Sequence, residues 1–387
     1  MPYPTKKLGE IAETSSGGTP RTGIKEYWDG DVPWLRSGEL VDGEIHKTVK
    51  MITERGLKES SAKMFPKNSV LIALTGATVG KTAILRINSA TNQSVVGIFP
   101  NEKNFVPEFI WYFLRLSYHK IKARAYGGAQ PHIDQGDVKN LKIPLPPLQI
   151  QKQIVERLDK IVEAQKLNDG LIQKADELFQ SLLHKELNLA GKNSEIKKLG
   201  DLAELITKGT TPTTYGRQFT NTGTPFLRAE DVNNSVVDFS RVQYHISEET
   251  NKFLSRSQTK ANDILITIAG TIGRVGYVPE NAPMMNMNQA VAIVRLNKIT
   301  NFMYVFFLLQ NKELRRKMFG AQVTGTISNL SLSNIGNLKI PLPPIEMQKQ
   351  IVAKLSAVQK YKQRLIEQRK KLKELFDSVL RKSMINK

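Results

Sequence analysis

The sequence predicts an α+β protein: two similar globular domains joined by two long helices in an antiparallel coiled coil, with pseudo-two-fold organisation. Three observations predict it. Five short motifs occur twice in the same order. Each copy divides into a β-rich globular part and a helical part, and the two helical parts carry matching heptad seams. At roughly 150 residues per domain, 387 residues give room for two or three domains. With 40% of residues apolar, each domain has enough material for an ordinary core.

The repeat begins at the N-terminus. Lys6-Lys7-Leu8-Gly9-Glu10-Ile11-Ala12 returns as Lys197-Lys198-Leu199-Gly200-Asp201-Leu202-Ala203, and Pro33-Trp34-Leu35-Arg36 as Pro225-Phe226-Leu227-Arg228. Asn92-Gln93 returns as Asn288-Gln289. Ile143-Pro144-Leu145-Pro146-Pro147 returns as Ile340-Pro341-Leu342-Pro343-Pro344, followed by Gln151-Lys152-Gln153-Ile154-Val155 against Gln348-Lys349-Gln350-Ile351-Val352. The shift drifts only from 191 to 197, which excludes chance. The boundaries that follow are 1–143 and 196–340 for the globular parts, and 144–195 and 341–387 for the helical parts.

Each globular part mixes short β-branched runs with Gly, Pro and Asn turns, as a twisted, mainly antiparallel sheet with one or two helices does. Residues Asn68 to Gly76 and Asn262 to Gly270 read as matching strand-to-turn elements, and Phe109 to Leu116 and Tyr304 to Leu309 as partly buried helices. Met284, Met285 and Met287 are assigned to the core. The proline block then sets extended chain just ahead of a helix start.

In the first helical part Ile154, Leu158, Ile161, Gln165, Asn168, Ile172, Ala175, Phe179 and Leu182 alternate spacings of four and three. Ile351, Leu355, Val358, Lys362, Leu365, Arg369, Leu372, Phe376 and Val379 keep that spacing in the second. This is a coiled-coil seam, with polar members mid-seam that fix register at a cost in stability. Residues 148–190 carry six basic and seven acidic side chains, whereas 345–387 carry twelve basic and four acidic, so the helices favour each other over themselves. From Ile154 to Leu182 the seam spans ~42 Å at 1.5 Å per residue, close to one turn of B-DNA, ~34–36 Å.

Lys plus Arg total 56 against 36 Asp plus Glu, a formal net charge of +20. That excess points to a polyanionic partner, nucleic acid first, because neutralising phosphates releases counterions. Zero cysteines exclude a disulfide framework, a thiolate metal site and a Cys nucleophile. The five histidines, His46, His119, His132, His184 and His245, lack metal-ligand spacing. No apolar run reaches the ~18–20 residues of a membrane span, and Met1 to Lys7 lacks the apolar core of a secretory signal. The expectation is a cytoplasmic chain.

Globular part, Pro-Leu-Pro-Pro, long helix, and the same again: this plan resembles the specificity (S) subunit of type I restriction-modification systems. Ile143 to Val155 is similar to that family's conserved signature, Ile340 to Val352 repeats it, and the resemblance covers the whole chain. It implies that 1–143 and 196–340 are target recognition domains, each reading half of a bipartite double-stranded DNA sequence. It implies that 144–195 and 341–387 are conserved helical regions whose antiparallel coiled coil sets the spacer and docks two methyltransferase (M) subunits, with restriction/translocase (R) subunits joining. The chain would hold no catalytic residue and no cofactor or metal of its own. S-adenosylmethionine would serve the M subunits, ATP and Mg²⁺ the R subunits. Framework residues recur while the sequence between them diverges, so the two half-sites should differ. The rival from another class is a structural coiled-coil adaptor of a nucleic-acid complex without sequence readout.

Candidate DNA-binding residues sit in loops and basic clusters of both copies. Gly76-Ala77-Thr78-Val79-Gly80-Lys81-Thr82 has three residues between its glycines where a Walker A loop needs four, and strand rather than helix follows. Lys81 and Arg274 follow this turn in the two copies, serving either phosphate contact or a solvated hairpin. Lys120, Lys122 and Arg124 in one copy and Arg315, Arg316 and Lys317 in the other precede Gly-rich loops. Repeated charge beside divergent loops fits a backbone grip next to base readout. Gln130, His132, Thr324, Thr326 and Asn329 are the base-edge candidates. Arg36 and Arg228 either read guanine or serve the framework. Asn92-Gln93 and Asn288-Gln289, identical in domains that should read different bases, belong rather to the framework. No Asn-Pro-Pro-aromatic tetrapeptide is present, so base flipping falls to a partner.

Overall fold

The computed structural model describes residues 3–127, 131–319 and 330–384. It divides into two compact units, Met1–Asp169 with Glu367–Lys387, and Gly170–Ile366. Both divisions fall inside the long helices, Leu148–Asn193 and Ile345–Met384. Each unit therefore holds one globular part, the start of the helix that follows it, and the far end of the other helix.

In the first unit, Thr5–Lys7 pairs antiparallel with Lys142–Pro144, so the two repeated motifs at the edges of the globular part close it as one ribbon. A five-stranded sheet runs in the order Thr14–Ser16, Val95–Ile98, Val70–Ala73, Thr82–Leu85, Gly43–Ile45, antiparallel except for its last pair. Side chains alternate across a strand. Val70, Ile72, Ile84, Val96 and Ile98 thus meet the helix Pro107–Leu116 on one face. Leu71, Ala73, Ala83 and Leu85 fill a second core with Leu35 and Phe65 on the other. A four-stranded sheet, Lys50–Ile52, Trp28–Leu35, Ser89–Thr91, Met64–Phe65, completes the unit.

The second unit repeats the plan. Glu195–Lys198 pairs with Lys339–Leu342. Its main sheet orders Ala203–Lys208, Val291–Leu296, Ile264–Thr267 and Val275–Tyr277, with the helix Phe302–Leu308 packed in the same core. A smaller sheet joins His245–Ile246, Thr224–Leu227 and Asn286–Met287. Asn68 and Asn262 enter the matching strands at φ 70° and 68°, a conformation Asn tolerates better than most residues. Met285 and Met287 are fully buried, but Met284 is 53% exposed and leaves the core. It stands just ahead of the strand, and its sulfur accepts from Asn251 Nδ2 at 3.5 Å.

Within each unit the two helices run antiparallel. In the first, Gln165 Nε2 donates to Leu372 O at 3.3 Å and Arg369 lies 3.8 Å from Asp169. In the second, Lys362 pairs with Asp176 at 2.5 Å and Lys354 with Glu186 at 2.7 Å. One number rises as the other falls. Asn168 is buried mid-seam, while Lys362 and Arg369 turn to the flank and meet carboxylates. The seam departs from strict heptads at its far ends. After Phe179 the buried residue is Leu183, not Leu182, and after Phe376 it is Leu380, not Val379. A second spacing of four lets each helix end follow 3.6-residue geometry onto a globular core instead of supercoiling.

The candidate nucleic-acid interface

In each unit, loops far apart in sequence meet at one end of the main sheet, because antiparallel neighbours bring one strand's finish beside the next strand's start. In the first unit Gly17 N donates to Val95 O at 3.0 Å, and Leu74 N to Ser94 O at 2.8 Å. Trp28–Leu35 runs parallel to Ser89–Thr91, and Asn92 N donates to Leu35 O at 3.0 Å, which delivers Arg36 to the same end. The segment after Tyr126 is pinned there too. Gly76 N donates to Pro131 O at 2.9 Å, Ile133 N to Leu74 O at 2.9 Å, and Tyr126 and His132 exchange backbone bonds of 3.0 and 2.8 Å. Lys81 Nζ lies 4.9 Å from the Tyr118 ring, tying the short helix Tyr118–Lys122 to this turn.

The structure thus brings together Arg36, Lys81, Lys122 and His132, with Lys120 and Arg124 exposed on and just after the same short helix. Their side chains are not equally available. Arg36 is exposed, and its backbone N–H bonds Glu39 Oε1 at 2.9 Å. Lys81 forms a 2.6 Å ion pair with Asp42, whose carboxylate holds the ammonium above its ordinary pKa. A phosphate at Lys81 would compete with that carboxylate. The His132 ring sits 4.0 Å from the Tyr126 ring, and Lys122 is 5.8 Å from the Tyr118 ring. Gln130 lies outside the described residues.

The second unit converges in the same way. Gly209 N donates to Val291 O at 3.2 Å, Ile268 N to Ala290 O at 2.8 Å, Asn288 N to Leu227 O at 3.1 Å, and Leu330 N to Ile268 O at 2.9 Å. Arg228 arrives at this end with its guanidinium 4.7 Å from the Tyr244 ring and 3.2 Å from Glu230. Arg274 Nη1 donates to Asn233 Oδ1 at 3.0 Å. Arg315 is half-buried, its pKa lowered by burial, in the wall of a cavity of about 440 Å³ between Asn233, Asn234 and Gln310 on one side and Asp176 and Lys362 of the long helices on the other, so it faces the helices. Arg316 is exposed. The Lys317 side chain and Thr324, Thr326 and Asn329 lie outside the described residues.

Two shared devices build this face. Asp42 and Asn234 adopt φ 57° and 53°, and each side-chain oxygen accepts from the hairpin backbone, Thr82 N at 3.0 Å and Val275 N at 3.0 Å. Because one copy uses Asp and the other Asn, identity between the repeats does not reveal them. Gly17 and Gly209 lie where a Cβ would stand about 2 Å from the chain at Thr91 or Met287. Thr19 Oγ1 then donates to Gln93 Oε1, and Thr211 Oγ1 to Gln289 Oε1. This accounts for Gln93 and Gln289 as framework. The signal stood in the sequence as Gly17-Gly18-Thr19-Pro20 against Gly209-Thr210-Thr211-Pro212. A third shared device, away from this face at the junction with the long helix, is a buried glutamine. Gln151 Oε1 accepts from Val106 N at 2.9 Å while its Nε2 donates to Pro146 O at 2.8 Å. Gln348 does the same with Asn301 N at 3.0 Å and Pro343 O at 2.8 Å.

A duplicated α+β domain with exposed cations at a strand-end face, mounted on long antiparallel helices, defines a two-module nucleic-acid recognition protein. Comparison makes this specific. The chain belongs to the family of the type I restriction modification DNA specificity domain, whose model matches residues 2–177 and 191–374. It is 28% identical to the type I restriction enzyme MjaIX specificity subunit of Methanocaldococcus jannaschii, over 98% of this chain and 92% of that one. The fold is similar to that of a chain from work on complex assembly and conformational transition of the type I R-M system, with TM-score 0.69, 19% identity, and 99% and 97% coverage. It is also similar to the S subunit of the M. genitalium type I system, with TM-score 0.58, 16% identity, and 100% and 96% coverage. The function of the chain is DNA sequence specificity in a type I restriction-modification system. Among the described residues no helix is long and apolar enough to cross a membrane.

Proposed function

We propose that each unit reads one half of a bipartite duplex DNA target with its strand-end face, and that the chain is non-catalytic by itself. The convergence of Arg36, Lys81, Lys122 and His132, with Arg228 and Arg274 at the matching strand end of the second unit, carries this reading. The lysines and arginines hold phosphates and fix register, while the divergent loops beside them meet base edges. Lys122, exposed beside the Tyr118 ring, is available for phosphate, whereas Lys120 and Arg124 line a cavity with Phe113, Leu116 and Arg381.

M subunits dock on the helix faces turned from the seam. Leu167 (65% exposed), Leu178 (55%) and Leu375 (49%) leave apolar surface there that the seam does not use. In this reading S-adenosylmethionine belongs to the M subunits, and ATP and Mg²⁺ to R subunits that join the complex.

The test is adenine-methylation mapping of genomic DNA with the M partner, with and without this chain. A chain-dependent bipartite motif with two unlike halves is the expected result. An active, assembled M subunit that leaves no chain-dependent motif overturns the reading.

A further inference from the structure

The structure assigns a specificity-determining role to the loops that follow the Gly-x-Thr-Pro clamp, and above all to the Tyr215–Phe253 aromatic shelf of the second unit, as a contact surface for base edges of one DNA half-site. This rests on the DNA-reading role proposed above and names an element of it.

The anchor of each loop is the same. Gly17 and Gly209 are seated against the chain at Thr91–Asn92 and Met287–Asn288, where no side chain fits. Gly18 N donates to Thr91 O at 2.8 Å and Thr210 N to Met287 O at 3.1 Å. Thr19 and Thr211 bond the side chains of Gln93 and Gln289. Both anchors stand at the strand end where Arg36 and Arg228 arrive, since Asn92 and Asn288 bond Leu35 and Leu227.

Past the proline the copies part. The first loop continues Arg21-Thr22-Gly23-Ile24-Lys25, with Arg21 and Lys25 exposed. The second continues Thr213-Thr214-Tyr215-Gly216-Arg217, and Tyr215 is 58% exposed. Tyr215 meets Phe253, itself 51% exposed, edge-to-face at 5.3 Å. The Arg217 guanidinium lies 4.4 Å from the Phe253 ring and bonds Glu249 at 2.9 Å. Gly216, at φ 70°, turns the chain between tyrosine and arginine.

Two large aromatic rings held in fixed geometry in water contribute little to the fold. Aromatic contact with thymine methyl groups or with the faces of partly unstacked bases uses such a surface. A constant anchor with a cationic tip in one unit and an aromatic tip in the other is what two copies of one frame need to read unlike half-sites. The loop can change without disturbing the sheet that carries it.

The experiment selects a randomised duplex pool with the assembled complex of full chain and M partner, comparing wild type with Tyr215→Ala and Phe253→Ala. Both sites are exposed, and melting curves confirm that the fold survives. The expected result is a loss of about tenfold in preference, the size of one lost base contact, at one or two positions of a single half-site. The other half-site and the binding to unrelated duplex stay unchanged. Unchanged motifs in both variants overturn the assignment, as does an equal loss at both half-sites. A wild-type complex that selects no motif overturns the DNA-reading role itself.

Discussion

Gln151 and Gln348 show how much one repeated side chain can hold. Each is buried at the first turn of a long helix and bonds the proline segment behind it and the start of the globular helix beside it. Replacing Gln151 by Ala strands a backbone N–H and a carbonyl in the interior. The loss should be about 2–6 kcal/mol, at about 1–3 kcal/mol per buried unsatisfied group, read by urea denaturation; a change within error would show that water replaces the amide. Arg36 makes the opposite case. Its side chain is exposed, so Arg36→Ala should leave the melting temperature unchanged and weaken DNA binding. If it holds a phosphate, the salt dependence of binding should fall by about one ion. If it reads guanine, preference should relax at one base position with the salt slope kept. Unchanged affinity and preference would return Arg36 to the framework, where its backbone bond to Glu39 already places part of it.

At the scale of elements, the seam carries the sharpest prediction. Heptad spacing assigns Leu182 to the core, but Leu183 is fully buried and packs with Phe179 and Leu199 while Leu182 is half-buried. Leu183→Ala should cost about 2–5 kcal/mol and Leu182→Ala clearly less, measured by denaturant unfolding of the full chain. Equal costs would restore the strict heptad. The error is instructive, because periodicity within a helix shows a stripe but not the partner. At Phe179 and Leu183 the partners are both the other helix, through Ile351 and Leu355, and the globular core of the second unit. The repeat, both long helices, the proline junctions and the strands at Val70 and Ile264 were legible, since each is local or written twice. Strand order was not. The convergence of Arg36, Asn92, Gly17 and Gly76 depends on pairings between segments tens of residues apart, and nothing local marks them. The Asp42–Lys81 pair was hidden likewise, so a cation that reads as free in sequence is engaged in the fold.

For the whole molecule, the recurring quantity is helix length. The helices are unbroken over 46 and 40 residues, and the chain reaches its second globular part only through the first of them. If each globular part reads a half-site, the helices set the spacer. Inserting one heptad after Lys160 and one after Lys362 preserves antiparallel register, because each added residue in one helix finds an added or displaced partner one heptad along in the other. The insertions lengthen the paired segment by ~10 Å, at 1.5 Å per residue, which is about three base pairs at 3.4 Å each along a strand. Methylation mapping should then return both original half-sites with a spacer longer by about three base pairs. The charges of the two helical parts, −1 over residues 148–190 and +8 over 345–387, are untouched if the inserted heptads are neutral, so a change in spacer cannot be attributed to charge. An unchanged spacer with full methylation would mean that something other than helix length sets the separation, and DNA recognition by each unit would stand without the ruler.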